Sequence, residues 1–447
     1  MAVGLPRLYN WWESTSIRAD ESITLFPTLS TIATAAAAAP KGTVATANQR
    51  LSLNLHIHGS VFEEEKESKT RGFVADLMLS LVEAVVGRPS NTTTIPETSL
   101  ASLFRERVWH FLVDNESGKR VTVRLRWANG TTTAHPLTAV SRSNGHFEEW
   151  LRFEEDDANQ SMLTDLLRFE EEGGWKVRYS VEADDGRVFE GRSHVLEANG
   201  ISVITDIDDT CRITGVLNGS RMLSSTFLLP FEEVRGIARM FQQWKDGLMV
   251  STNPPYSLSF RPEEQPQRQK EAEEEKKPFS FKETKQESRD VAFHYLSGSP
   301  YQFFRPLHDF LKEEGFPEGS WHLNEMDRDW TSFFRFFSAP IQHKLHHIDA
   351  IMHSYPLRRY ILVGDDGQSD PEIYAEVAGR YPEQVVHVFI HHVNQSSADA
   401  VTSTSLSEDA VQRCVATFSA AGVPSHKWTL FPSTDIPTLT DRLLSSV

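Results

Sequence analysis

The sequence predicts a β-rich sandwich- or barrel-like unit followed, from about residue 199, by an α/β unit built on a mostly parallel sheet. Three observations carry this. Period-two apolar alternation and hairpin signals dominate residues 49–198. Apolar strand runs alternate with helical stripes from residue 201 onward, and the first of those runs, ISVIT at 201–205, ends in a cluster of carboxylates. Strands without a polar face are strands covered on both sides, as in parallel sheets.

Residues 1–48 show little periodicity and end in an Ala/Thr-rich stretch, so a mostly flexible arm is expected, with ITLFPTLS (23–30) free to pack on the β-rich unit after it. LSLNLHIH then alternates through Leu51, Leu53, Leu55 and Ile57, a half-buried strand ending at Gly59. A helix is predicted over 73–86 with Phe73, Leu77, Leu81 and Val85 on one face turned to the core; an amphipathic membrane helix is the alternative. From Val108 the pattern reads as sheet, with Val121, Val123, Leu125 and Trp127 at period two after Gly118. Asn129-Gly130 and Asp185-Gly186 are hairpin signals. His56 and His58 share a strand face, but with no third metal ligand in view a surface or core role is expected.

In the second unit, FEEVRGIARMFQQWK (231–245) puts Val234, Ile237, Ala238 and Phe241 on a helical stripe. An insertion comes next, at about 256–290. Its stretch 261–290 carries eight positive and nine negative charges and too few apolar residues for a cap domain, so it is expected to be solvated and disordered. Strands are then predicted at 291–297, 320–326, 358–366, 385–392 and 427–432, alternating with helices over 301–314, 340–353, 371–379 and 407–422 and a last helix to the end.

Composition narrows the function. Two cysteines, Cys211 and Cys414, support neither a disulfide framework nor a cysteine zinc site, which points to a reducing, cytoplasmic setting. No apolar run approaches the ~18 residues of a membrane span, and the N-terminus lacks signal-peptide features. A net charge of −17 argues against nucleic-acid binding, so positive charge for an anionic substrate must be concentrated locally.

Four segments put chemistry at predicted strand ends. In ITDIDDT, Asp206 and Asp208 alternate with Ile207 and point the same way from the carboxyl edge, where open α/β sheets hold ligands, with Thr210 two residues on. A calcium loop would continue through oxygen ligands to Gly, where this chain has Cys211. In YLSGSPYQFF, Ser297 ends a strand and Ser299-Pro300 reads as the cap and first residue of a helix start that favours phosphate; DGLMVSTNPP with Ser251 is its rival. In SAPIQHKLHHIDAIMHSYP, a stripe of Ile341, Leu345, Ile348 and Met352 leaves Lys344 off its centre near the helix start. His343 and His347 are four apart, but a zinc helix would need a third ligand and the Glu of its motif. In ILVGDDGQSDPEIY, a buried strand ends in Asp365 and Asp366, and Asp370 leads into the next helix.

D-x-D-x-T after an apolar strand is the nucleophile motif of the haloacid dehalogenase-like phosphatases. The four segments in this order resemble, over residues 201–432, the catalytic domain of the magnesium-dependent phosphatidate phosphatases related to the actin-patch-associated fungal enzyme. The resemblance implies a haloacid dehalogenase-like Rossmannoid fold for 199–447 and hydrolysis of phosphatidate to diacylglycerol and phosphate. It makes Asp206 the nucleophile and Asp208 the general acid and then base, with Thr210, Ser297 and Lys344 binding phosphate. It assigns Mg2+ to Asp206, the Asp208 backbone carbonyl and Asp365, a set of hard oxygens suited to that ion. Asp370 is expected to orient Lys344 or a metal-bound water, and Asp366 to share either task.

The resemblance further implies a membrane-presented phospholipid substrate, a chain peripheral to membranes or cortical actin patches, and actin-patch or endocytic proteins as partners. No C-terminal recruitment tail of the kind found in relatives is expected. This chain has Arg212 where the fungal pattern has Lys and Gly298 where it has Asn. A site covered only by the loop near 210–225 suits a phosphate on something large, with Arg212, Arg221, Arg305 and Lys344 expected to supply the positive field. The alternatives are a related phosphatase of phosphoproteins or soluble phosphate esters, and a non-catalytic scaffold.

Overall fold

Alternation of side chains along each strand decides both sheets of the molecule. The computed structural model describes residues 16–34, 51–63, 69–86, 97–127, 130–154, 166–170, 174–248, 291–326, 341–393 and 405–444. Ten of the described strands form one connected sheet: β1 (Glu21–Leu25), β2 (Thr28–Thr34), β3 (Leu51–Glu63), β4 (Asp114–Asn115), β5 (Arg120–Arg126), β6 (Thr132–Val140), β7 (His146–Glu154), β8 (Leu167–Glu170), β9 (Gly174–Glu182) and β10 (Val188–Leu196). RVTVRLR shows why: Val121, Val123 and Leu125 are buried while Arg120, Thr122, Arg124 and Arg126, alternating with them, are exposed. The long β3 pairs along its length with β1, β2, β4 and β7, so this unit is one branched sheet.

Three expectations change here. Residues 21–34, placed in a mostly flexible arm of which 23–30 was expected to pack on the β-rich unit, go further and form β1 and β2 within its sheet, β2 pairing in parallel with β10. The stretch read as sheet from Val108 begins inside a helix, α2 (Glu97–Leu112), because Phe104, Val108 and Leu112 recur every four residues on its buried face. The third concerns α1 (Lys69–Val86). Its stripe of Phe73, Leu77, Leu81 and Val85 is 70, 52, 50 and 59% exposed, while Ala75 and Val82 on the other side join the core. The helix is apolar nearly all round, and its smaller face is the one that packs on α2. The charged insertion at 256–290 and Ser251 lie outside the described residues.

The second sheet contains β11 (Ile201–Thr205), β12 (Val291–Pro300), β13 (Ser320–Asn324), β14 (Arg359–Asp365), β15 (Val385–His391) and β16 (Trp428–Phe431). Its order is β13-β12-β11-β14-β15-β16, every neighbouring pair parallel. Helices α3 (Gly219–Leu223), α4 (Ile237–Leu248), α5 (Phe304–Glu313), α6 (Ile341–Ser354), α7 (Asp370–Arg380), α8 (Glu408–Ala420) and α9 (Ile436–Leu444) complete the described part. Val203, Phe293, Ile361 and Phe389 face one core with Phe241 of α4, Leu307 of α5 and Leu439 of α9. Ile204, Leu362 and Val388, one residue out of phase, face the other with Ile348 of α6, Val377 of α7 and Phe418 of α8. Both faces of the parallel sheet are thus covered.

The two sheets share their cores. Phe26 belongs to the first of those clusters and Leu29 to the second. Trp321 N–H donates to Pro27 O (3.2 Å), Tyr355 Oη to Ser30 O (3.0 Å), and the buried Arg358 to Glu197 O and Asn199 O (2.9 and 3.0 Å). Among the described residues no helix is long and apolar enough to cross a membrane.

Candidate active site

The carboxyl ends of the three adjacent strands β12, β11 and β14 converge on one point. Asp206 follows β11 directly, its N–H donating to Val363 O (2.9 Å), so its carboxylate stands at the sheet edge. Asp365 is the last residue of β14 and Asp370 the first of α7. One oxygen from each of Asp206, Asp365 and Asp370 lies within 4.8 Å of the others, and all three residues are buried. Gly364 makes this approach feasible, since a Cβ there would sit 2.3 Å from Asp370 Oδ2.

Lys344 enters from α6 and is 4% exposed. Its Nζ lies 2.9 Å from Asp206 Oδ1 and 2.6 Å from Asp370 Oδ1. Burial pushes the Asp206 carboxyl up to about 8, with Lys344 opposing the rise and Asp370 and Asp208 adding to it. Burial, then Asp370 and Asp206, also hold Asp365 well above the usual carboxylate range. Burial alone would lower Lys344, but Asp206, Asp370 and Asp365 raise it, so it stays charged. Ionised together, as a bound cation would have them, the three carboxylates carry two negative charges beyond the one ammonium. Asp206 Oδ2 and Asp365 Oδ2 are buried and accept no hydrogen bond. A divalent, oxygen-seeking cation fits this donor set and this charge.

Asp208 sits beside the cluster in a cage of donors. Arg212 Nη2 donates to its Oδ1, as does Thr214 Oγ1 at 2.8 Å, while Ser297 Oγ (2.9 Å) and Ser299 Oγ (3.1 Å) donate to Oδ2. Burial raises this carboxyl, but the Arg212 charge and the hydrogen bonds of Arg212, Thr214 and Ser297 outweigh it and hold it below its ordinary value. Arg212 is itself fixed 4.3 Å over the Phe231 ring. Asp209 builds the loop. At φ 54° it accepts N–H bonds from Thr214 (2.6 Å), Gly215 (2.7 Å) and Val216 (2.7 Å), and its carbonyl contacts His391 Nδ1 (2.9 Å).

Of the residues singled out by sequence, Asp206, Asp208, Ser297, Lys344, Asp365 and Asp370 come together. Thr210 is buried in the same loop with an unpartnered Oγ1. Asp366 does not join them: consecutive strand residues point to opposite sides, and its carboxylate takes His392 Nδ1 (2.5 Å) and Val393 N–H (2.7 Å) instead. Ser299-Pro300 does not start a helix either. β12 runs through Pro300, a 3-10 turn covers 301–303, and α5 begins at Phe304, which frees Ser299 to reach Asp208. Arg305 leaves the expected positive field, its guanidinium reaching Thr24 Oγ1 at 3.5 Å. His343 and His347 have their Nε2 atoms 3.1 Å apart, and no third ligand joins them among the described residues. Sequence reasoning missed Asp209 and Thr214 and gave Ser299 a capping role in place of its bond to Asp208; the pair Thr214-Gly215, a few residues beyond the carboxylates of ITDIDDT, was the available signal for a backbone N–H nest.

Residues 201–392 match the family described as the catalytic domain of phosphatidate phosphatase APP1. Phosphatidate phosphatase APP1 of Saccharomyces cerevisiae is 28% identical over 202 residues, 45% of this chain and 27% of the yeast protein. An uncharacterized protein of Schizosaccharomyces pombe is 26% identical over 210 residues, 44% of this chain and 26% of its own length. The matched part spans about a quarter of either relative. A solved carbohydrate esterase aligns over 95% of this chain and 96% of its own at 9% identity with a TM-score of 0.17, too low to argue a shared fold.

Proposed function

With the match of residues 201–392 to the APP1 catalytic domain as premise, we propose that this chain is a magnesium-dependent phosphatidate phosphatase of haloacid dehalogenase-like mechanism. It hydrolyses phosphatidate to diacylglycerol and phosphate through a phosphorylated Asp206. The observation that carries the reading is the buried trio Asp206, Asp365 and Asp370 with Lys344 against it. Asp206, Asp365 and the Asp208 carbonyl would hold the magnesium ion, which when bound offsets charge on the phosphoryl oxygens.

In the first step an Asp206 carboxylate oxygen attacks phosphorus, the ester P–O bond breaks, and the leaving glycerol oxygen takes a proton from Asp208. Asp208 must first acquire that proton, yet its four donors hold it ionised in the resting site. A bound phosphate competes for those donors. With Arg212, Ser297 and Ser299 turned to phosphoryl oxygens, the Asp208 carboxyl rises and takes up a proton, so substrate binding itself loads the acid. In the second step water gives its proton to Asp208 and attacks phosphorus, the acyl-phosphate bond breaks, and phosphate leaves with Asp206 restored. Lys344 keeps Asp206 aligned and opposes the charge that builds at phosphorus.

The exposed stripe of α1 favours a substrate presented at a lipid surface. The helix packs its other side on α2 and on α3, and α3 leads into the segment beyond the nucleophile loop. Large apolar side chains at Phe73, Leu77, Leu81 and Val85 suit shallow insertion between headgroups. Replacing Leu77→Asp and Leu81→Asp together is expected to cut phosphate release from vesicle-borne phosphatidate about tenfold and to leave turnover of a soluble phosphate ester within about twofold. Equal loss on both substrates, or no loss on vesicles, would remove this face from substrate approach.

The deciding assay is phosphate release from phosphatidate in mixed micelles, with magnesium or with EDTA. Magnesium-dependent release is the expected result. Turnover of a soluble ester alone would move the assignment to that substrate class, and turnover of neither would leave a non-catalytic scaffold.

A further inference from the structure

Away from the carboxylate cluster, a second set of donors converges where the two sheets meet. His58 lies on β3 and His146 on β7, diagonal neighbours on one face of an antiparallel pair whose register sets Ser60 opposite His146. They are 5% and 3% exposed. Glu325 reaches them from just past β13, at the carboxyl edge of the parallel sheet. His58 Nε2 stands 3.1 Å from His146 Nδ1 and 3.7 Å from Glu325 Oε1, and the three donor atoms lie within 4.8 Å of one another.

We propose that His58, His146 and Glu325 form a site for a zinc-class divalent ion that clips the β-rich sheet to the parallel sheet. Two imidazoles and a carboxylate are a zinc donor set, with water left for the fourth position. Tetrahedral bonds of zinc length put neighbouring donors about 3.3 Å apart, and the separations of 3.1 and 3.7 Å straddle that figure. A single N–H···N bond would satisfy the imidazole pair, but would leave Glu325 facing them with nothing donated in return. The outer groups are also those of a built metal site. Arg142 Nη2 donates to Glu325 Oε1 (2.8 Å) and Asn144 Nδ2 to Oε2 (3.1 Å), fixing the carboxylate. Phe26 and Tyr301, each with its ring centroid 4.9 Å from that of His58, wall the imidazoles in. Imidazole donors select zinc-class ions over magnesium, so the two clusters take different metals and metal analysis tells them apart.

The test loads the full chain with zinc and magnesium, dialyses it, and counts metal per chain. About one zinc equivalent is expected, falling at least tenfold in His58→Gln and in His146→Gln and unchanged in Asp365→Asn and His347→Gln. Glu325→Gln, which still offers an oxygen to Arg142, guards against variants that fail to fold and should weaken zinc retention about tenfold or more. Cobalt loading gives a second readout, the visible absorption of a four-coordinate ion, absent in His146→Gln. A wild-type chain that retains no zinc overturns the proposal. So does zinc that survives loss of both histidines, or that leaves with Asp365→Asn or His347→Gln.

Discussion

Asp206→Asn should lower phosphate release by a factor on the order of 10⁴ or more, because the variant keeps the shape of the site and loses the oxygen proposed to attack phosphorus. The same change does not weaken the fold. Asp206 is one of three buried carboxylates that share a single ammonium, and burial has already pushed its carboxyl up to about 8. A neutral amide needs neither the buried charge nor the proton that Asp206 must otherwise take up, while Lys344 keeps Asp370. The unfolding midpoint in urea should therefore stand at or above that of the wild type while turnover disappears, the pattern of a residue kept for chemistry against stability. Residual turnover within tenfold of the wild type would transfer the nucleophile to another residue.

Lys344→Met has the opposite signature. The substitution keeps a long unbranched side chain at this position of α6 but deletes the only cation within reach of Asp206 and Asp370 among the described residues. Removing one partner from a buried ion cluster costs about 3–5 kcal/mol, since the remaining charges have no water to return to. Loss of its field at phosphorus should lower turnover by a further factor of about 10²–10³. Denaturation midpoints and phosphate release measured on one preparation separate the two effects. An unshifted midpoint would mean that Lys344 does not compensate the carboxylates.

Much of the α/β unit could be read from the sequence because its signals are local. ISVIT, ILVG and VVHVFIH are apolar on both faces, and such runs have few homes other than a covered parallel strand. The carboxylates at their ends followed from that placement, which is why Asp206, Asp365 and Asp370 were legible. What stayed hidden depends on pairing at a distance or on which of two faces wins. Phe73, Leu77, Leu81 and Val85 form a true stripe, but a stripe does not say whether protein or solvent meets it, and the smaller Ala75 and Val82 face took the core. Asp365 and Asp366 look interchangeable in sequence, and only the phase of β14 sends one to the cluster and the other to His392. Arg212 read as a charge for the substrate, and its ion pair with Asp208, four residues back along the loop, could not be seen in the sequence. β1 and β2 looked like an arm because their partners lie far along the chain.

That last point bears on synthesis. β2 pairs with β10, and the hydrogen bond between Thr28 Oγ1 and Ser193 Oγ closes a loop of 165 residues. At roughly 5 to 20 residues per second, β2 waits on the order of 10 to 30 seconds on the ribosome before its partner has been made. During that interval its edge is unpaired, and Leu29 has neither Leu196 nor Tyr355 to bury it. The nascent chain therefore carries β2 with one edge open through most of the synthesis of the β-rich unit, and its yield in cells should depend on what shields residues 28–34 until β10 has been made.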